Sequence, residues 1–221
     1  TGAIQATNRG GRADGFITHL SQNGNAILQS TYYGSPEYDQ VYFVKTDRTG
    51  YAYVYGQTED TMNRFIFNAA YSKPKSGQFI SKLSPHLDSV IWSTTFGSGR
   101  GTPDISPTAF LVDVCNKTCI SGWGSNFFAD YNIPGAPPLS TQGLYVSTGA
   151  IQPTTDNQDF YVMVMNDDAS AISYATYFGS NDDEEHVDGG TSRFDKKGVI
   201  YQSVCAGCNG KSSFPTTPGV V

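Results

Sequence analysis

Apolar and polar positions alternate along three stretches of the chain. In DGFITHL, Phe16, Thr18 and Leu20 share one face and Ile17 and His19 the other; GQFISKL repeats this with Phe79, Ser81 and Leu83 against Ile80 and Lys82. A period of two marks half-buried β-strands. QDFYVMVM differs, because Tyr161, Met163 and Met165 make the second face apolar too, which predicts a strand buried on both sides between neighbours. Each stretch leads to a second strand ending in glycine, AILQSTYYG, SVIWSTTFG and AISYATYFG. A third segment follows: FVKTDRTGYAYVYG, FLVDVCNKTCISG and SRFDKKGVIYQSV.

The same order of elements therefore occurs three times. Phe16 to Gly34 and Phe79 to Gly97 each span 18 residues and Phe160 to Gly179 spans 19, the extra residue reading as a bulge. Asp47-Arg48-Thr49-Gly50 and Asp195-Lys196-Lys197-Gly198 read as hairpin turns, in which Asp bonds its own backbone and Gly supplies a positive φ. A unit of three or four antiparallel strands cannot bury both faces alone and needs a neighbour on each side. The expectation is an all-β chain forming a partial β-propeller over 1–221, three consecutive antiparallel blades with repeats at about 12–70, 75–145 and 148–214. Three blades cannot close a ring, so about seven or eight are expected in the whole. TGAIQ at 1–5 recurs at 148–152, so the chain is expected to open on a blade's lead-in, with 215–221 leading into a blade that does not follow.

Composition agrees with this reading. The chain has 24 Gly, 11 Pro, 13 Phe and 14 Tyr but only 15% charged residues, a balance of strands and turns. A net charge of −6 with scattered Lys and Arg excludes the basic footprint of a nucleic-acid or anionic-membrane binder. No stretch approaches the roughly 18 apolar residues of a membrane span, and the first residues lack the pattern of a signal peptide.

QSTYYG, WSTTFG and YATYFG, followed by the Asp47, Gly50, Tyr53 and Gly56 hairpin, resemble a bacterial β-propeller repeat. Asp113 and Gly122 match that hairpin in part, Cys119 replacing the Tyr; Asp195, Gly198 and Tyr201 match, with Val204 in place of the last Gly. The phrases FLVDVCNKTCISGWGS and YQSVCAGCNGKSSFPTTPGVV resemble large secreted proteins of Bacteroidota, of the gliding-motility-associated kind exported by type IX secretion. That resemblance covers essentially the whole chain. It implies an extracellular or outer-cell-surface location and an adhesin-like setting, and it brings no catalytic residues. The implied partners are the remaining blades and modules of the same polypeptide, the secretion or surface machinery, and a protein or polysaccharide ligand.

Candidate chemistry is sparse. Cys115 with Cys119 and Cys205 with Cys208 form two close pairs, expected to be local disulfides in an oxidising compartment. Zinc is the weaker reading, because the pairs stand too far apart for a zinc ribbon. A redox role for Cys205 and Cys208 would need a helix that nothing indicates. Asp182, Asp183, Glu185 and Asp188 are calcium candidates, since clustered oxygens suit a hard cation; the competing reading is a solvated loop with one structural Asp. No other cofactor is expected. His19, His86 and His186 fall on different elements, and no nucleophile elbow, zinc helix or phosphate-cradling loop is present. Phe127, Phe128, Tyr131 and Tyr145 either form a binding platform or pack onto the propeller.

The expected function is a non-enzymatic binding or display scaffold. One alternative is an extracellular glycosidase or lyase in which Asp39, Asp104 and Asp188, recurring at similar places, line a central channel; recurrence favours a repeated structural bond instead, because an active site breaks symmetry. The other is secretion cargo captured with a surface complex.

Overall fold

The computed structural model of the chain describes residues 2–124, 138–181, 185, 193–195, 197–203, 205 and 213–219. Among these residues the protein is all-β, with no helix. Its strands are β1 (Gly15–Leu20), β2 (Ile27–Tyr33), β3 (Asp39–Thr46), β4 (Ala52–Thr58), β5 (Gln78–Leu83), β6 (Val90–Phe96), β7 (Ser106–Val112), β8 (Thr118–Trp123), β9 (Phe160–Met165), β10 (Ile172–Phe178), β11 (Arg193–Phe194) and β12 (Ile200–Tyr201). They form four antiparallel sheets: β1-β2, β3-β4-β5-β6, β7-β8-β9-β10 and β11-β12.

Each segment expected as one third strand is a hairpin of two, turned by one repeated device. The Asp47 carboxylate accepts the backbone N–H of Thr49 at 2.9 Å and of Tyr51 at 3.1 Å. Asp113 does the same for Cys115 (2.7 Å) and Lys117 (2.9 Å), and Asp195 for Lys197 (2.7 Å) and Val199 (2.9 Å). Gly50 (φ 89) and Gly198 (φ 83) close two of these turns. In the second unit, where the glycine is missing, Asn116 takes φ 62, a conformation asparagine tolerates.

The leading hairpins are equally regular. Gly15 pairs with Tyr33, Gln78 with Phe96 and Phe160 with Phe178, and each ladder breaks register once near its turn. Tyr161, not Phe160, therefore stands where Phe16 and Phe79 stand. The third unit has no extra residue; all three hairpins have one length and one bulge. Their turns close on Gly24 (φ 71), Leu87 (φ 52) and Ala169 (φ 53). Leu87 and Ala169 are buried, so packing holds them in a conformation side chains avoid.

Sequence unit and sheet are out of phase. Each four-stranded sheet takes two strands from one unit and two from the next, joined at β4·β5 (Ala52↔Leu83 to Gln57↔Gln78) and at β8·β9 (Thr118↔Met165 to Trp123↔Phe160). Two cores follow. Ile17 and Tyr33 pack on Val54, Phe79 and Leu83 between the first two sheets. The larger core sets Tyr53, Tyr55, Ile80 and Trp92 against Ile120, Tyr161, Met163 and Met165. β9 is buried on both faces, as its unbroken apolar run predicts. β7 packs against β3 on one side and β11 on the other, so the sheets meet along equivalent strands. At the first sheet the covered face is that of Ile17; Phe16 is 68% exposed, whereas its equivalent Phe79 is fully buried.

The expected Cys115–Cys119 disulfide does not form, and both thiols are free. Asp113 pins the tip of the turn so that Cys115 faces solvent, whereas Cys119 lies inside β8, paired with Leu111 and Val164. Burial pushes the Cys119 thiol up to about 11, with Asp113 adding to the shift. A thiol-reactive maleimide is expected to label Cys115 under native conditions and Cys119 only after unfolding; equal labelling, or a disulfide mass deficit confined to this peptide, would reverse the correction. Cys208 lies outside the described residues, and the Cys205–Cys208 pairing with it.

Candidate functional site

A glycine followed by a serine ends the second strand of every unit, at Gly34-Ser35, Gly97-Ser98 and Gly179-Ser180. There the chain leaves one sheet for the next, and its backbone donors need partners. A buried acid provides them. Asp39 accepts from the Ser35 N–H at 2.5 Å and its hydroxyl at 2.7 Å; Asp104 accepts from the Ser98 N–H at 2.7 Å and its hydroxyl at 2.6 Å; Glu185 accepts from the Ser180 N–H at 2.8 Å. All three acids are at most 1% exposed. The third acid is therefore Glu185, not the expected Asp188, which lies with Asp182, Asp183 and His186 outside the described residues.

A glutamine from each TGAIQ segment completes two of these clasps. The Gln5 side-chain carbonyl accepts the Gly34 N–H (3.0 Å) and its amide donates to Asp14 (2.6 Å); Gln152 does likewise with Gly179 (2.9 Å) and Asp159 (2.9 Å). The middle unit has glycine, Gly77, in place of that second acid, and Arg100 pairs with Asp104 at 2.9 Å. Only glycine fits at the crossing: a Cβ on Gly179 would lie 2.2 Å from Asp159 Oδ1 and 2.6 Å from Glu185 Oε2.

These carboxyls are held against their charge. Burial raises Asp39, Asp104 and Asp159 above the ordinary carboxylate range, although serine, threonine and glutamine donors pull the other way. Burial, reinforced by Asp159 and Asp156, pushes Glu185 up to about 7. A carboxyl whose folded value lies above its unfolded one binds its proton more tightly when folded, so the stability it contributes is present below about 4.5 and lost as pH rises towards 7. A higher Tm is expected at pH 5 than at pH 8. Glu185→Gln keeps the acceptor for Ser180 and places an amide donor towards Asp159, so it should raise Tm at pH 8 by about 2–4 °C, the effect of roughly 1 kcal/mol in a chain this size. An unchanged pH slope in the variant would assign that slope to other groups.

Sealed acids of this kind cannot reach a substrate. Among the described residues one of several open pockets is a cleft of about 400 Å³ between the first sheet and the second, lined by Arg9, Tyr33, Arg64, Phe65, Phe67 and Ser93 among others. A hydroxyl chain forms its floor, Tyr33 donating to Ser81 (2.8 Å), Ser81 and Ser93 sharing a bond (2.7 Å), and Ser93 donating to the Phe65 carbonyl (2.6 Å). Arg9 is tied to the Gly34 carbonyl at 3.1 Å and Arg64 to the Asp60 carboxylate. Phe67, 49% exposed, is held at the rim by its two backbone bonds to Ser93 (2.8 and 2.7 Å). The cleft thus offers guanidinium groups and an aromatic face, which suit a carboxylate-bearing chain, while its buried hydroxyls are spent on one another and on the Phe65 carbonyl.

The cleft was not legible in advance. Arg9, Arg64 and Phe67 lie in irregular segments outside the repeat pattern. The clasps were partly legible, in the duplicated TGAIQ and in the serine after each glycine. Of the expected aromatic platform, Tyr145 is half exposed and its carbonyl accepts the Tyr161 hydroxyl at 2.7 Å; Phe127, Phe128 and Tyr131 lie outside the described residues. His19 and His86 are exposed and on separate elements. Among the described residues no three His, Cys, Asp or Glu side chains group to hold a metal ion. The sequence matches no family model and no curated protein.

Proposed function

We propose that the chain is a segment of a β-propeller acting as a non-enzymatic binding and display scaffold in an exported protein. The observation that carries this reading is the threefold recurrence of one clasp at each crossing between sheets. Carboxylates placed for catalysis would differ between units and open to solvent; these recur and are buried. The propeller reading draws further support from sheets that meet along β3, β7 and β11, each packing on its neighbours as radial blades do. Location at the cell surface and export by type IX secretion follow from the sequence resemblance alone.

The binding place is the cleft of Arg9, Arg64 and Phe67, and its ligand is an acidic segment of a polysaccharide or protein. The test is calorimetric titration with a polyuronate, with parallel assay of the incubated polymer for new chain ends. Saturable, salt-sensitive binding is expected, weakened about tenfold by Arg9→Ala or Arg64→Ala, the worth of one charged hydrogen bond of about 1.4 kcal/mol. Binding indifferent to both substitutions would remove the cleft, and steady release of new ends would replace the scaffold by an enzyme.

A further inference from the structure

We propose that the cleft is the first part of a longer track, along which an acidic polysaccharide, a polyuronate, runs from Arg9 and Arg64 past Phe67 to Lys73 and Lys75. The inference rests on the cleft being a binding place and commits its ligand to a carbohydrate. Arg9 and Arg64 line the cleft itself. Lys75 adjoins them, because its backbone N–H donates to the side-chain oxygen of Asn63 at 2.9 Å, next in sequence to Arg64. Lys73 adjoins Phe67 on the outer edge of β6: the Phe67 N–H donates to the Ser93 carbonyl and the Lys73 N–H to the Thr95 carbonyl, both at 2.8 Å. Two residues of strand separate those anchors, about 7 Å. The aromatic residue and the lysine thus start side by side from one edge.

The two lysines are not balanced by acids. Arg64 is paired with Asp60, and the donors of nearby Arg100 go to Asp104 and to the carbonyls of Pro103 (2.7 Å) and Pro138 (2.9 Å). Lys73 and Lys75 are exposed and make no ion pair among the described residues. On a chain of net charge −6, such a strip attracts a polyanion that the rest of the surface repels. The repeated fold does not call for these cations. Ser147 and Gln152 hold the outer edge of β10 much as Phe67 and Lys73 hold that of β6, yet residues 118–192 contain neither Lys nor Arg. The clasp acids recur because every crossing needs one, whereas this strip belongs to one sheet, as a ligand site would.

A carbohydrate suits the strip better than an acidic peptide. An extended peptide gains most from backbone pairing along a free strand edge. Here Phe67 and Lys73 already occupy the β6 edge at Ser93 and Thr95. Side chains are what remain: the exposed Phe67 ring, a flat partner for the apolar face of a sugar, and cations in succession, partners for carboxylates on successive sugar units.

The test is calorimetric titration with uronate chains from the trisaccharide to the polymer. The unaltered protein is compared with the Lys73→Gln/Lys75→Gln double variant, and polyglutamate and a neutral glucan serve as further probes. Both lysines are exposed, so the variant should keep its Tm. Affinity is expected to rise with chain length, the trisaccharide binding both proteins alike and the polymer binding the variant about five- to tenfold more weakly. Trisaccharide binding with no gain on lengthening, or polymer binding indifferent to the double substitution, overturns the track and leaves the cleft standing. No binding at any length removes the cleft and the track together. Polyglutamate or neutral glucan bound as tightly as polyuronate overturns the assignment to an acidic carbohydrate.

Discussion

Gly56→Ala is expected to destabilise the protein by roughly 3 kcal/mol, near the upper end for overpacking by a single methyl group. A Cβ at Gly56 would lie 2.2 Å from the Gln40 carbonyl oxygen and 2.6 Å from Cζ of Phe79. The oxygen belongs to the paired strand β3 and the ring to β5, both fully engaged, so neither can move away without breaking a ladder or a core contact. Gly24→Ala is the matched control. Nothing lies within 4 Å of a Cβ there, and only the positive φ of 71 opposes the change, a cost of about 1 kcal/mol. Urea denaturation at constant slope separates the two. Equal costs would mean that Gly56 serves its backbone conformation and not the close approach of three strands.

The second large effect separates residues that are equivalent in sequence. Phe79→Ala should cost about 3–5 kcal/mol and lower Tm by roughly 10 °C, because its ring is fully buried, stacked on Phe65 with centroids 4.2 Å apart and flanked by Tyr33 at 5.8 Å. Phe16→Ala should change the stability of the isolated chain by no more than about 0.5 kcal/mol, since its ring touches water over most of its surface. Comparable losses at both positions would mean that the face of β1 is already covered within one copy.

Much of the fold was legible because two signals reinforced each other. Period-two alternation marked the leading strands, and the recurrence of glycine at Gly34, Gly97 and Gly179 fixed their lengths. The turn chemistry of Asp47 and Asp195 was legible for the same reason, since the side chain and the glycine that make the turn stand in the sequence. Asn116 shows the limit: the turn persists without its glycine because another residue type can adopt the same φ. The placement of β3-β4 and β5-β6 in one sheet was not legible, because alternation says which residues share a face and nothing about which strand lies beside which. Phe160 was misplaced by one position because QDFYVMVM is apolar on both faces, so its pattern carries no phase.

The candidate site was harder to read for a physical reason. Asp39, Asp104 and Glu185 do the same work at different distances after their glycines, 5, 7 and 6 residues, because the acid needs only to reach a Ser N–H and the loop between can vary. Looking for an aspartate at a similar place in each unit therefore led to Asp188, nine residues after its glycine, and passed over Glu185. The Cys115–Cys119 pairing failed similarly. Closeness in sequence ignored that a turn and a strand point their side chains in different directions.

Electron-microscopic class averages of the protein at high concentration test the central claim most directly. The account requires sheets arranged radially about one axis, their β3, β7 and β11 edges towards a central channel. Sheets stacked in a row with no common axis would contradict it, and with it the reading of the chain as part of a propeller.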